Sequence, residues 1–212
     1  MMKILLTGFE PFGGEPINPS WEAVKALAGY RDSVVSLMLP CVFDEAISVL
    51  AQTAGALAPE VILAVGQAGG RSGISLEKVA INLNDARIAD NKGQQPIDTA
   101  VVKGGPNAYF ATVPVKRLVA ELNHAGIEAS VSYSAGTYVC NHLFYGACHL
   151  ARQLRPEPAV GFVHIPFLPE QAQRHPGNPS LPLPTLITAL ERLCDTLLAK
   201  TEELNHSAGT TH

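Results

Sequence analysis

Short β-branched, apolar runs alternate along this chain with longer amphipathic stretches, and that alternation dictates an α/β architecture. Residues 3–7, 32–39, 61–65, 129–133 and 159–165 read as buried strands. Helices are expected between them. One opens after Asn18, an N-cap followed by Pro19, and runs to about Leu27. Others cover roughly 43–57, 114–125, 140–154 and 184–199. This order implies a three-layer α/β/α sandwich with a mostly parallel twisted sheet, in which ligands belong at the carboxyl ends of the strands. In the last helix Leu186, Leu190, Leu193 and Leu197 form one stripe, which places the neighbouring Cys194 in the core. Two segments interrupt the pattern, 90–107 and 167–182, both rich in Pro, Gly, Asn and Gln. Loops of that length are usually functional or mobile.

With 212 residues, 47% of them hydrophobic, the chain can bury one substantial core. The expectation is a single domain over 1–201, with a polar tail over 202–212 that frays. The formal charge is -4 and no block of like charge occurs, so no nucleic-acid or anionic-membrane partner is expected. Ile4 to Leu6 is too short an apolar run for a signal peptide, and no stretch is long enough to span a bilayer. Cys41, Cys140, Cys148 and Cys194 lie far apart without a CxxC pair. That spacing fits reduced thiols in a cytoplasmic protein better than a disulfide scaffold or a zinc site, and no metal is expected.

Cys140 stands apart from the other thiols. Ser134 to Val139 carries a strand into a turn, and a helical pattern begins at Cys140 itself. A thiol in the first turn of a helix faces unpaired amides and the positive end of the helix dipole, which favour a thiolate and could hold an oxyanion. The same position also suits a buried packing cysteine, and position alone does not decide between the two. A nucleophile needs a base, and seven histidines compete. His206 and His212 sit in the tail, and His142 and His149 share the helix of Cys140 at unsuitable offsets. His164 ends a strand where Pro166 stops the ladder, so its ring can emerge at the sheet's carboxyl edge, with His175 in reserve. A third group should fix the imidazole tautomer. Glu77 follows a Gly-rich turn and stands at the start of the next strand, but on spacing Asp85 and Asp90 serve equally well.

The Gly69-Gly70-Arg71 turn lacks the Lys-Ser/Thr of a P-loop and the GxGxxG spacing, which argues against a phosphate cradle. The 8–14 segment, with Phe9, Pro11 and Phe12, suits an apolar, planar ligand instead.

These blocks resemble a known family when taken together. Thr7-Gly8-Phe9-Glu10-Pro11-Phe12-Gly13-Gly14, Asn18-Pro19-Ser20-Trp21, Gly66-Gln67-Ala68-Gly69-Gly70-Arg71, the 77–82 run, Ser134-Ala135-Gly136-Thr137-Tyr138-Val139-Cys140-Asn141-His142 and His164-Ile165-Pro166 are similar to those of the pyroglutamyl-peptidase I, or pyrrolidone-carboxylate peptidase, family. The likeness runs from about Lys3 to Leu198, with the blocks in the family's order. It implies a phosphorylase/hydrolase-like sandwich and no cofactor. The implied activity is thiol-dependent removal of N-terminal pyroglutamate from peptides through a thioester. It also implies a triad of Cys140, His164 and Glu77, with Arg87 near the oxyanion. Pocket positions fall on Phe9, Phe12, Cys41, Ile88, Tyr138 and Val139, with Gln67 and Asn18 nearby. Cys41 stands where Thr or Val is commoner and Tyr138 where Phe is frequent, so fine specificity is open. The resemblance further implies a homo-oligomer, dimer or tetramer. A carboxylate beside His164 should raise its pKa and favour a thiolate-imidazolium pair. The rival functions are a Cys-His amidase or glutaminase and a non-catalytic small-molecule binder on the same fold.

Overall fold

The five strands expected from apolar runs all form, together with three short ones, of which one follows Glu77 as expected. The computed structural model describes residues 2–209. The chain runs β1 (Ile4–Phe9), α1 (Pro19–Ala26), β2 (Val34–Leu39), α2 (Glu45–Leu57), β3 (Val61–Gln67), β4 (Ile74–Glu77) and β5 (Val79–Ile81). It continues through β6 (Ala108–Phe110), α3 (Val115–His124), β7 (Ala129–Ser132), α4 (Val139–Ala151), β8 (Ala159–Ile165), α5 (Pro169–Ala172) and α6 (Leu183–Leu198). Asn18 caps α1 as expected: its Oδ1 accepts from the Ser20 amide at 3.0 Å, and Pro19 opens the helix.

The main sheet has the order β2-β1-β3-β8-β4-β7. Every pairing is parallel except β4 with β8. Helices α1, α3 and α6 pack together on one face, and α2 and α4 pack together on the other. The layers are those of an α/β/α sandwich, and β1, β3 and β8, buried but for Gln67 and Ala159, form its middle. Cys194 lies in the core beside the leucine stripe of α6.

β4 corrects one expectation. Residues 72–76 read as a flexible approach to a strand opening at Glu77, but Ile74–Glu77 is itself a strand, buried throughout, and Glu77 closes it. Four residues are too few to show a period of two against flanking Gly and Ser, and the strand is fixed by its neighbours β7 and β8 rather than by its own pattern. The 167–182 segment likewise holds the short helix α5.

The tail that was expected to fray crosses α3 over residues 202–209. Glu203 Oε1 accepts from the Lys116 and Arg117 amides at 3.0 and 3.1 Å, supplying the helix with a cap that Pro114 lacks, and Tyr133 donates to the Ala208 carbonyl at 2.6 Å. The tail residues 210–212, including His212, lie outside the described residues.

One buried side chain on α4 makes folding pH-dependent. His142 Nε2 accepts from the Asp44 amide at 2.9 Å, so Nδ1 carries the proton and donates to Asn84 Oδ1 at 2.9 Å. Burial holds the imidazole down at about 4, against the opposing pull of the Asp44 carboxylate. As pH falls below 6.5 the unfolded chain therefore binds the proton first, and the native state loses stability until about pH 4. The full effect of this one group is roughly 3 kcal/mol. Urea midpoints of the parent should fall between about pH 7.5 and 4.5, and those of His142→Gln should fall less. Equal falls in both proteins would show that the imidazole is not the group responsible.

Candidate active site

Sheet register decides which side chains can meet. Gly66 on β3 stands opposite His164 on β8. Across the antiparallel pair, Ser75 stands opposite His164 and Glu77 opposite Phe162. Register partners share a face of the sheet, as do alternate residues of one strand, so Gly66, Phe162, His164 and Glu77 all present to the face that α4 covers. Gly66 has no side chain to present, and that space belongs to the thiol. A Cβ at Gly66 would stand 2.8 Å from Cys140 Sγ and 2.9 Å from Phe162 Cζ. The sulfur therefore sits above β3, one strand over from His164, whose ring packs 4.9 Å from that of Phe162.

His164 Nδ1 lies 2.7 Å from Glu77 Oε1. A carboxylate can only accept, so Nδ1 carries the proton and Nε2 is left with its lone pair. Both side chains are buried, Glu77 completely. The alternatives are committed elsewhere. Asp90 accepts from the amides of Phe43, Lys92 and Gln94, and Asp85 lies at the wall of a neighbouring cavity. His175 Nε2 donates to Glu15 Oε1 at 2.7 Å, and the ring stacks on Phe167.

Cys140 lies in the first turn of α4, one residue beyond Val139, and the N-cap Tyr138 offers those first amides no side-chain partner. Asn141 holds the turn against the end of β5 by accepting from the Ile81 amide and donating to the carbonyls of Ile81 and Leu83. Thr137 donates to the Asp85 carbonyl at 2.8 Å, which brings Arg87 and Ile88 to the same rim.

Acidity does not single out Cys140. Burial pushes Cys41, Cys148 and Cys194 up to about 12 and raises Cys140 as well. Accessibility does single it out, since the other three are buried and Cys140 is partly open. Burial also lowers His164, and the hydrogen bond and charge of Glu77 offset only part of that. For Glu77, burial raises the pKa, but the bond from His164 and the charges of His164 and Arg71 outweigh it, so the carboxyl is lowered overall. The free site thus holds thiol, neutral imidazole and carboxylate. These directions favour a neutral resting pair over the expected thiolate-imidazolium one, because burial of both groups opposes the single carboxylate.

A cavity of about 400 Å³ opens beside the start of α4, lined by Phe12, Asp85, Arg87, Ile88, Gly136, Thr137 and Tyr138. Phe12 and Tyr138 face each other at 6.0 Å, and Phe43 meets Tyr138 edge-on at 5.5 Å. Of the other residues expected at the pocket, Phe9, Val139 and Cys41 are buried in the core and do not line this cavity. Asn18 is engaged in capping α1 and in bonding the Glu10 carbonyl. Gln67 accepts from Gln171 of α5 at 3.1 Å. Sequence reasoning missed Arg71, which donates to Glu77 Oε1 at 2.6 Å. A buried carboxylate demands a counter-charge, and that demand was the available signal.

The family model described as pyroglutamyl peptidase matches residues 2–199. The pyrrolidone-carboxylate peptidase of Cupriavidus necator is 55% identical with 100% of both chains covered, and that of Pectobacterium atrosepticum is 54% identical over the same shares. The crystal structure of Bacillus amyloliquefaciens pyroglutamyl peptidase I superposes with a TM-score of 0.93 at 47% identity, covering 96% of this chain and 100% of that one.

Proposed function

Because the chain belongs to the pyroglutamyl peptidase family, we propose that it is a cysteine exopeptidase removing N-terminal pyroglutamyl residues from peptides. Cys140 is the nucleophile, His164 the base and Glu77 the carboxylate that orients it. The observation that carries this reading is the Glu77-His164 hydrogen bond of 2.7 Å on the sheet face where the sulfur of Cys140 occupies the space above Gly66. Nδ1 is held by Glu77, so Nε2 is the nitrogen available to take the thiol proton.

From the neutral resting pair, proton transfer to His164 accompanies attack of sulfur on the pyroglutamyl carbonyl. The imidazolium that forms is stabilised by Glu77. The uncapped amides at the start of α4 face the developing oxyanion, and Arg87 adds its charge from the rim. His164 then protonates the leaving amine, and water, deprotonated by the same imidazole, hydrolyses the thioester. No step calls on a cofactor. Pyroglutamate is a neutral lactam, and the cavity walled by Phe12, Ile88 and Tyr138 offers apolar surface without requiring a buried charge. A free N-terminal Gln or Glu would bring an ammonium group there without a partner. Self-association as a dimer or tetramer and a cytoplasmic setting belong to the same proposal. They rest on the resemblance and on four unpaired thiols, and sedimentation under reducing conditions checks the first.

The purified protein should release amine from pyroglutamyl-arylamide, and Gln-arylamide and free glutamine should be poor substrates. Faster hydrolysis of glutamine amide would favour the glutaminase reading. Saturable pyroglutamate binding without turnover would favour the non-catalytic one.

A further inference from the structure

Arg71 ties the two halves of the site together. Its Nη1 donates to Glu77 Oε1 at 2.6 Å, the same oxygen that His164 Nδ1 meets at 2.7 Å. Its Nη2 donates to the Ser134 carbonyl at 3.1 Å, in the turn that leads through Tyr138 into Cys140. One planar guanidinium therefore spans the end of β4, which carries the orienting carboxylate, and the segment that sets the start of α4. A carboxylate as fully buried as Glu77 is costly to keep ionised alone. With His164 neutral at rest, Arg71 supplies the one full positive charge bonded to Glu77 among the described residues. Glu77 Oε2 accepts no hydrogen bond there, although Ser132 lies near enough to help lower the carboxyl. Arg71 is 31% exposed and forms part of the wall of a cavity of about 350 Å³ along β4 and β7, so its charge enters the site from solvent rather than from the core.

We propose that Arg71 is a positioning residue for the reaction, holding Glu77 ionised and fixed against both His164 and the turn that carries Cys140. The proposal rests on the catalytic roles given above and separates into two parts. The charge sets the proton affinity of the Glu77-His164 pair, because a nearby cation repels a proton from either member. The two-pronged geometry sets the alignment of base and nucleophile. Burial lowers His164 first and Arg71 lowers it further, and the same cation opposes the burial that raises Cys140.

Arg71→Met and Arg71→Lys test the two parts against the parent with pyroglutamyl-arylamide, folding being checked by circular dichroism and melting. In Arg71→Met, kcat should fall by about tenfold to a hundredfold with KM nearly unchanged. The acid limb of kcat/KM should move up by about one pH unit, because the pair now holds its proton more tightly. Arg71→Lys keeps the charge and should leave the acid limb in place, while the loss of the fork still lowers kcat. Alkylation of Cys140 by iodoacetamide, which needs no peptide substrate, should become slower near neutral pH in Arg71→Met and stay close to the parent rate in Arg71→Lys. A parent that labels normally but does not turn over the arylamide would contradict the proposed function, while the labelling comparison still judges Arg71. An active parent whose Arg71→Met variant keeps its kcat, or loses kcat without any movement of the acid limb or the labelling rate, would overturn the inference.

Discussion

Replacing Cys140 by Ser is expected to lower turnover of pyroglutamyl-arylamide by about ten-thousandfold or more while the protein stays folded. The hydroxyl is a far weaker nucleophile at the pKa it would have in this site, and His164, neutral and already lowered by burial, cannot make up the difference. The fold should tolerate the change, because α4 is anchored by Val139, Leu143, Phe144, Tyr145 and Ala147 rather than by the partly open thiol. Melting should shift by only a few degrees, as expected of a nearly isosteric change at a half-buried position. Cys148→Ala and Cys194→Ala should keep most activity, and iodoacetamide should label Cys140 before the three buried thiols. Gly66→Ala makes the same case from the other side of the contact. Its Cβ would be 2.8 Å from the sulfur, so the thiol must move away from the strand that faces it. Turnover should fall by about a hundredfold or more, since ångström-scale misplacement of a reacting group has that cost. Alkylation of Cys140 should persist in Gly66→Ala. A Cys140→Ser protein with a tenth of the parent's activity would remove the thiol from the chemistry.

The elements that position this site differ in how far their own residues announce them. α1 is fully legible, because an Asn cap and a Pro in the first turn are local signals, and the cap bond from Ser20 is what those signals demand. The start of α4 is legible from the turn that leads into it, and His164 from Pro166, which ends β8 just beyond it. Glu77 is not. Its strand is four residues long and is defined by antiparallel pairing with β8, residues that lie far away in sequence. Spacing alone left Glu77, Asp85 and Asp90 equal, and only the family resemblance separated them. The distinction is physical and non-local: Glu77 shares a sheet face with His164, whereas Asp90 is satisfied by three amides of its own loop and of Phe43.

The direction of the histidine pKa is hidden from the sequence for a related reason. A carboxylate partner does raise a histidine pKa, and from sequence the partner is the only visible influence. The depth at which α4 buries the pair against β3 and β8 appears only once the chain is folded, and it outweighs the partner. Arg71 escaped notice because it lies six residues before Glu77, a spacing that places no two side chains together on a strand or a helix. The turn over residues 70–73 folds it back onto the carboxylate.

Glu77→Gln should separate the acidity of the thiol from the rate of the reaction. Glutamine keeps the shape of the side chain, but its amide can present a donor to Nδ1, which would put the ring in the wrong tautomer, and it carries no charge to stabilise the imidazolium as it forms. We expect kcat to fall by about a hundredfold to ten-thousandfold and KM by no more than a few-fold, with His164→Ala worse than either limit of that range in kcat. The free thiol should respond in the opposite sense. Burial is the main cause that raises Cys140, the Cys41 and Glu77 charges add to it, and Arg71 opposes it. Removing the Glu77 charge while Arg71 remains must therefore ease thiolate formation, so the pH midpoint for alkylation of Cys140 should move down, not up. Arg71→Met moves it the other way, which makes the pair of variants a test of sign as well as of size. Asp85→Asn should leave both readouts near the parent values, since Asp85 bonds neither His164 nor Arg71 among the described residues. In the parent, labelling should rise through the alkaline range as an ordinary buried thiol ionises, because the resting pair is neutral. Labelling of the parent that persists well into acid, and that disappears in His164→Ala, would instead place a thiolate-imidazolium pair in the free enzyme and reverse the protonation states assigned to Cys140 and His164.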